Sequence, residues 1–122
     1  METLEMVLKV EGRAIPVDEE GFLIDPNDWT EDIAEVIAEK DGYKLKDDHR
    51  GFVKYFRKYW KKNATHPTMQ VVVKEIGGSI GKTPYDRKIL TDHLNLIFPS
   101  GPITQLSKLA GLPRPPHHIA HE

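Results

Sequence analysis

The sequence predicts a mainly helical α+β fold in which an N-terminal β-hairpin packs on an orthogonal bundle of about five helices, with an extended, flexible C-terminal arm. Three observations support this: alternating apolar residues before residue 25, helical apolar spacing across 26–111, and a proline-rich end from residue 112. The 122 residues suit one domain. We therefore expect a single domain over 1–122, made of regions 1–25, 26–111 and 112–122.

The hairpin is predicted from a period-two pattern near the N-terminus. Met6, Leu8 and Val10 alternate with other residues, as in a half-buried strand. Glu11-Gly12 supplies a tight turn before residues 13–17 return. Because an isolated hairpin is marginally stable in water, it must pack on the helices.

The first two helices are predicted from capping residues and apolar spacing. Asp28 is the expected N-cap of the first helix, with Glu31 at the capping-box position and Gly42 at its end. The second is expected to begin near Asp47 and run to Asn63. Its apolar stripe consists of Phe52, Val53, Phe56, Tyr59 and Trp60, and its opposite side carries Lys54, Arg57, Lys58, Lys61 and Lys62.

Three further helices follow from start and stop signals. Thr65-His66-Pro67 is expected to open the third, and Thr83-Pro84 the fourth, which Pro99 stops. Ser100 is the expected cap of a short fifth helix that Gly111 closes. The remaining LPRPPHHIAHE predicts an extended arm, since its prolines do not suit a helix.

Composition excludes several classes of function. The absence of cysteine excludes disulfides, thiolate metal sites, iron–sulfur clusters and a cysteine nucleophile. Seventeen basic against nineteen acidic residues argue against non-specific binding of nucleic acid by the whole chain, though a local patch stays open. With no signal peptide and no long apolar run, we expect a soluble, cytoplasmic protein with no membrane partner.

A glycine-rich stretch at residues 77–83, GGSIGKT, superficially resembles a phosphate-binding loop. Such a loop needs four residues between its first glycine and Gly-Lys-Thr, whereas Gly77 leaves only three. Pro84 also removes a backbone N–H that a phosphate would use. We therefore expect no ATPase activity and no small-molecule substrate.

The same stretch can be read as the turn of a helix-turn-helix, with helices at 70–80 and 84–97. Arg87 and Lys88 then lie near the start of the second helix, where base- or phosphate-contacting groups are found. A DNA-binding transcriptional regulator is therefore the alternative function. The basic side of the second helix is, separately, a candidate docking face for an acidic partner or nucleic acid.

The histidines suggest a metal site only weakly. His117, His118 and His121 lie close together in the arm, but no carboxylate is placed to orient them. We expect no metal and no other cofactor, with metal sensing by the arm as a further hypothesis. His49, His66 and His93 fall within or beside amphipathic helices and are expected to pack or cap.

Two motifs make the chain recognisable. LIFPSGP at residues 96–102 and AGLPRP at residues 110–115 resemble the DsrC/TusE family of sulfur-relay proteins, which includes the gamma subunit of dissimilatory sulfite reductase. The resemblance extends upstream through Trp29, Asp41-Gly42 and Tyr59-Trp60, so it covers nearly the whole chain. It implies the hairpin-and-bundle fold, ending in an arm that inserts into a partner enzyme.

The resemblance also implies where the family's chemistry would lie. The arm cysteine that carries sulfur in the family matches about His118, and the second cysteine of dissimilatory members matches Ser107. Because neither residue has a thiol, we expect a binding or regulatory protein of sulfur metabolism that is not an enzyme. Its partner would be a sulfur-transfer or sulfite-reductase-type complex, contacted by the basic face and by an arm that includes Arg114, His117, His118 and His121.

Overall fold

A computed structural model describes residues 6–42, 44–80, 84–116 and 119, without the side chains of 77–80 and 84–87. Within these residues it contains an antiparallel hairpin and five α-helices, which confirms the predicted fold class. The strands are β1 (Val7–Val10) and β2 (Arg13–Pro16). The helices are α1 (Glu31–Lys40), α2 (Asp47–Asn63), α3 (Met69–Ile80), α4 (Pro84–Ile97) and α5 (Pro102–Leu109).

The hairpin follows the predicted alternation. β1 and β2 pair from Val7 opposite Pro16 to Val10 opposite Arg13, and the turn residues Glu11 and Gly12 both adopt positive φ. Leu8, Val10 and Ile15 are buried in the core shared with the helices. The hairpin is therefore stabilised by packing, as its small size requires.

Three helices begin at residues other than those predicted from the sequence. Asp28 lies in a short 3₁₀ turn (Pro26–Asp28) that Asp25 caps, and Thr30 precedes α1. α3 begins after Thr68, whose Oγ1 accepts from the Val71 N–H at 3.2 Å, rather than at Thr65. α5 begins after Gly101, whose φ of 119° suits glycine, rather than after Ser100.

The core lies where α1, α2 and α5 meet beneath the hairpin. Its largest fully buried side chains include Phe56 of α2, Ile33 of α1 and Leu106 of α5. α3 and α4 pack against each other, and α4 adds Leu94 to the core. Among the described residues, no helix has both the length and the apolar character needed to cross a membrane.

Candidate functional site

The chain from Leu109 to residue 116, here called the C-terminal segment, leaves α5 through a tight turn. The N–H of Leu112 donates to Ser107 O at 3.0 Å and that of Gly111 donates to Lys108 O at 3.1 Å. These two hydrogen bonds, together with the φ of +72° at Gly111, form a Schellman motif. Leu112 is fully buried after the turn, so the motif turns the chain back onto the domain.

Trp29 forms one wall of this turn. Its indole N–H donates to Leu109 O at 2.7 Å. A Cβ on Gly111 would lie 2.5 Å from Trp29 Cδ1, which is closer than real carbon atoms approach. Glycine is therefore required at position 111 both by the backbone angle and by the close approach of the indole.

Arg57 of α2 holds the same turn from the other side. Its guanidinium donates to Ala110 O at 2.8 Å and to Pro26 O at 3.2 Å, and stacks 4.5 Å from the centroid of the Trp29 ring. Burial lowers the pKa of Arg57, and the two carbonyls and the ring face provide its partners. Arg57 is therefore not part of an exposed basic docking face, although the sequence predicts it there. It lies at the apolar edge of α2, and its side chain turns inward.

His66 makes the third link to the segment. Its Nε2–H donates to Pro113 O at 2.7 Å, and its ring lies edge-on to Trp60 with centroids 5.0 Å apart. Burial is the main cause that lowers the pKa of His66, so the neutral imidazole is favoured. The packing role expected for His66 agrees with this position, and His49 similarly caps α2 by accepting from the Lys46 N–H at 2.8 Å.

Arg114 links the segment to an acidic turn after β2. Its guanidinium lies 3.3 Å from Asp18 Oδ2 and 2.5 Å from Glu20 Oε1. Asp18 is itself fixed, since its other carboxylate oxygen accepts from the N–H groups of Glu20 and Phe22. Residues 112–116 lie outside any helix or strand, and burial of Leu112 and Pro115 and these ion pairs attach them to the domain, where the sequence predicts a flexible arm.

The positions matched to family cysteines are described only in part. Ser107 is fully buried, and its Oγ has no hydrogen-bond partner within the described structure. His117, His118 and His121 lie outside the described residues. The described residues include no group of three His, Asp or Glu side chains that could hold a metal ion.

The other four cations of the predicted docking face remain together on α2. Lys54, Lys58, Lys61 and Lys62, here called the lysine face, are exposed and form no ion pair with any residue that the structure describes. Their helical spacing places them on one arc, as the sequence predicts. Their role in docking stays a prediction.

The helix pair considered for DNA binding is present as α3 and α4. Lys88 forms an i,i+4 ion pair with Asp92 at 3.0 Å, while the side chain of Arg87 and residues 81–83 lie outside the described part. A lysine paired in this way contributes less net charge toward a phosphate. Nothing in the described geometry favours DNA over the other readings.

Sequence reasoning missed Trp29 and His66 as anchors of the segment. Both were visible only as apolar or helix-opening residues, and their partners lie 80 and 47 residues away in the chain. Arg57 carried a signal that was available: it lies three and four residues from Trp60 and Val53, at the border of the apolar stripe. A cation at the border of an apolar stripe is near enough to the core for its side chain to turn inward.

The fold is that of a known class of small sulfur-relay proteins. The family model described as "DsrC like protein" matches residues 9–119, and the chain belongs to this family. Within this family, the chain is similar to curated proteins named sulfurtransferase TusE. Sulfurtransferase TusE of Pectobacterium atrosepticum is 35% identical over 109 residues, which cover 89% of this chain and 96% of the relative. TusE of Escherichia coli K12 gives the same identity and coverage.

Solved structures of the family agree with the fold. DsrC of Allochromatium vinosum superposes with a TM-score of 0.80 and 33% identity, covering 93% of this chain and 97% of the other. The oxidized gamma subunit of dissimilatory sulfite reductase from Archaeoglobus fulgidus gives 0.74 and 27%, covering 91% and 97%. The predicted family resemblance is thereby confirmed. None of these similarities lends support to DNA binding.

Proposed function

We propose that this chain is a non-catalytic member of the DsrC-like family that acts by binding a protein partner in sulfur transfer. One observation carries the proposal: Ser107, at the family's inner cysteine position, is buried with an unpaired hydroxyl in a chain that has no cysteine at all. The family scaffold is present around a residue that cannot do the family's redox chemistry.

The chemical reason lies in the difference between a thiol and a hydroxyl. A relay protein receives sulfur when its thiolate attacks a sulfur–sulfur bond, which forms a persulfide and releases the donor's remaining thiolate. A serine hydroxyl has a much higher pKa and forms no stable bond of this type, and the histidine at about position 118 has no sulfur. This chain therefore has no atom that can hold the transferred sulfur.

The contacts of the C-terminal segment favour a role in binding. Side chains from three parts of the chain donate to three carbonyls of the C-terminal segment, those of Leu109, Ala110 and Pro113. Arg114 adds ion pairs to the turn after β2. These contacts fix the backbone of residues 109–114, and a preorganised segment suits recognition by a sulfur-transfer or sulfite-reductase-type complex.

Sulfur loading tests the non-catalytic part of the proposal. The purified chain and its S107C, H118C and S107C/H118C variants would be incubated with inorganic polysulfide and measured by intact-mass spectrometry. We expect sulfur adducts on the cysteine variants that dithiothreitol removes, with H118C the more reactive because Ser107 is buried. A reducible sulfur adduct on the unmodified chain would contradict the proposal.

Co-purification tests the binding part. The full chain would be compared with a variant that ends at Pro113, which keeps the Schellman turn and the His66 contact but removes residues 114–122. We expect the truncated variant to lose the subunits of a sulfur-transfer or sulfite-reductase-type complex identified by mass spectrometry. Recovery of the same subunits with the truncated variant would exclude the arm from binding. Circular dichroism would verify that the truncated variant is folded.

A further inference from the structure

A second surface, independent of the C-terminal segment, lies in an open groove between α2 and α3. Lys58 and Lys62 line it from α2, and Lys74 lines it from α3. The rings of Tyr55 and Tyr59 and the side chain of Val71 complete its lining. The sequence placed the first two lysines on a helix face, but only the packing of α3 brings the third beside them.

Three lysines and one carboxylate, that of Glu75, line this groove, so its lining carries an excess of positive charge. The side chains of Lys58, Lys62 and Lys74 are exposed and form neither an ion pair nor a hydrogen bond with any described residue. Elsewhere in the described chain, cations such as Lys108 and Arg114 are matched with carboxylates. A chain of net charge −2 therefore carries a local positive potential here.

The groove's own acidic group is already engaged. Glu75 accepts a hydrogen bond from the Tyr55 hydroxyl. Burial, followed by this bond to Glu75, raises the pKa of Tyr55, so the phenol adds no negative charge. The groove thus offers three free ammonium groups around half-buried aromatic surface.

We propose that this groove binds an acidic segment of a partner protein. This proposal rests on the proposed function, because that function makes the partner a protein. Carboxylates of the segment meet Lys58, Lys62 and Lys74, and an apolar side chain lies on Tyr59 and Val71. Lysine stems add apolar contact while their ammonium groups pair. Because the lysines are positively charged, the ligand that complements them is an anion. The apolar lining favours a peptide over a simple counterion, since only a peptide also has an apolar side chain to place there.

The aromatic geometry favours a protein over a nucleic acid. Single-stranded nucleic acids bind through aromatic faces on which bases stack. The Tyr55 ring instead packs edge-on to Phe56 and lies 6.1 Å from Tyr59, with its hydroxyl tied to Glu75. No arginine lines the groove among the described residues, although arginine is the residue best suited to phosphate.

The test uses a fluorescein-labelled peptide of alternating glutamate and serine around a central leucine, measured by fluorescence anisotropy with the full chain. We expect saturable binding that weakens with added salt and is lost when glutamine replaces glutamate. The variant K58E/K62E/K74E should weaken binding by at least about tenfold. The control K9E reverses an exposed lysine on β1 that does not line the groove, and it should leave binding unchanged.

Several results would overturn the proposal. They are equal binding of the glutamine peptide, unchanged binding by a triple variant that circular dichroism shows to be folded, and tighter binding of oligothymidylate than of the peptide. A wild-type dimer that the triple variant abolishes would make a second copy the occupant and would equally refute it. The chain ending at Pro113 should still bind the peptide, so failure here is separable from failure of the arm in co-purification.

Discussion

The basic side of α2 carries cations in two opposite states: Arg57 at its edge and the lysine face beside it. Arg57, together with Trp29 and His66, is here called the anchored flank. Arg57 is half-buried, donates to two backbone carbonyls and stacks on Trp29, whereas Lys54, three residues earlier, is exposed and has no ion pair within the described chain. Both belong to one basic stripe in the sequence. The difference teaches that the residues beside a cation on the helix, more than its charge, decide whether it stabilises the fold or remains free to bind.

The anchored flank is specific because its acceptors are main-chain atoms. Trp29, Arg57 and His66 donate to the carbonyls of Leu109, Ala110 and Pro113. Carbonyls point correctly only when the backbone follows the Schellman turn through Gly111, so the turn and the three donors depend on one another. The lysine face lacks such mutual dependence, and its substitutions should therefore act on binding alone.

The largest effect on this comparison is expected from G111A. The new Cβ would meet Trp29 at 2.5 Å on a backbone of φ +72°, so the indole or the turn must shift. We expect a loss of more than about 3 kcal/mol in the free energy of unfolding, as for severe overpacking with backbone strain. Urea denaturation followed by tryptophan fluorescence measures it.

The matched control is G42A. Gly42 also has positive φ, at +90°, but nothing lies within 4 Å of its added Cβ. It should lose only the strain of the left-handed backbone, about 1–2 kcal/mol. Equal losses in the two variants would show that the Trp29 contact does not matter.

The flanks can be compared directly with R57M and K54M, which both remove a cation and keep an apolar stem. R57M leaves the Ala110 carbonyl without its donor and removes the stacking on Trp29, so we expect a loss of about 2–3 kcal/mol. K54M should leave the urea midpoint unchanged, because Lys54 has no partner to lose. Similar midpoints for the two variants would contradict the division of α2 into an anchoring and a free flank.

The sequence suffices to predict the secondary-structure elements, but not the long-range contacts that hold the C-terminal segment. Periodic apolar residues and terminal glycines and prolines predict the hairpin, the extent of α2 and the start of α4 at Pro84, because those signals are local. The pairings of Trp29 with Leu109 and of His66 with Pro113 join distant parts of the chain. No periodicity encodes them, so the candidate site was predicted as a motif but not as an anchored structure.

Acidification should next lower the free energy of unfolding through two buried histidines, His66 at the C-terminal segment and His49 at the start of α2. Burial lowers the pKa of His66 and of His49 in the folded chain, so the unfolded chain takes up protons at higher pH than the folded one. Stability is therefore fully present above the ordinary imidazole pKa of about 6.5 and falls as the pH drops through the lowered values. Each group contributes about 1.4 kcal/mol for every unit by which its pKa is lowered.

Urea midpoints at about pH 7.5 and about pH 5.5 bracket that ordinary imidazole pKa. We expect the lower midpoint at the lower pH. H66Q keeps a donor for Pro113 O but cannot titrate, so it should reduce the difference, and H49Q/H66Q should reduce it further. If the double variant kept the full pH dependence, the buried histidines would not be its source.

The smallest effect is expected at the outer end of the segment, where Arg114 faces Asp18, Glu19 and Glu20. These groups are partly exposed, with Arg114 itself 45% exposed. Exposed ion pairs contribute about 0.2–1 kcal/mol, so R114A should lower stability only within that range. Because 1 M salt shortens the screening length to about 3 Å, the difference from the unmodified chain should shrink at high salt, whereas the R57M deficit should persist. A salt-independent loss in R114A would mean that Arg114 acts through packing on the segment, and the anchored flank would then extend to the end of the described arm.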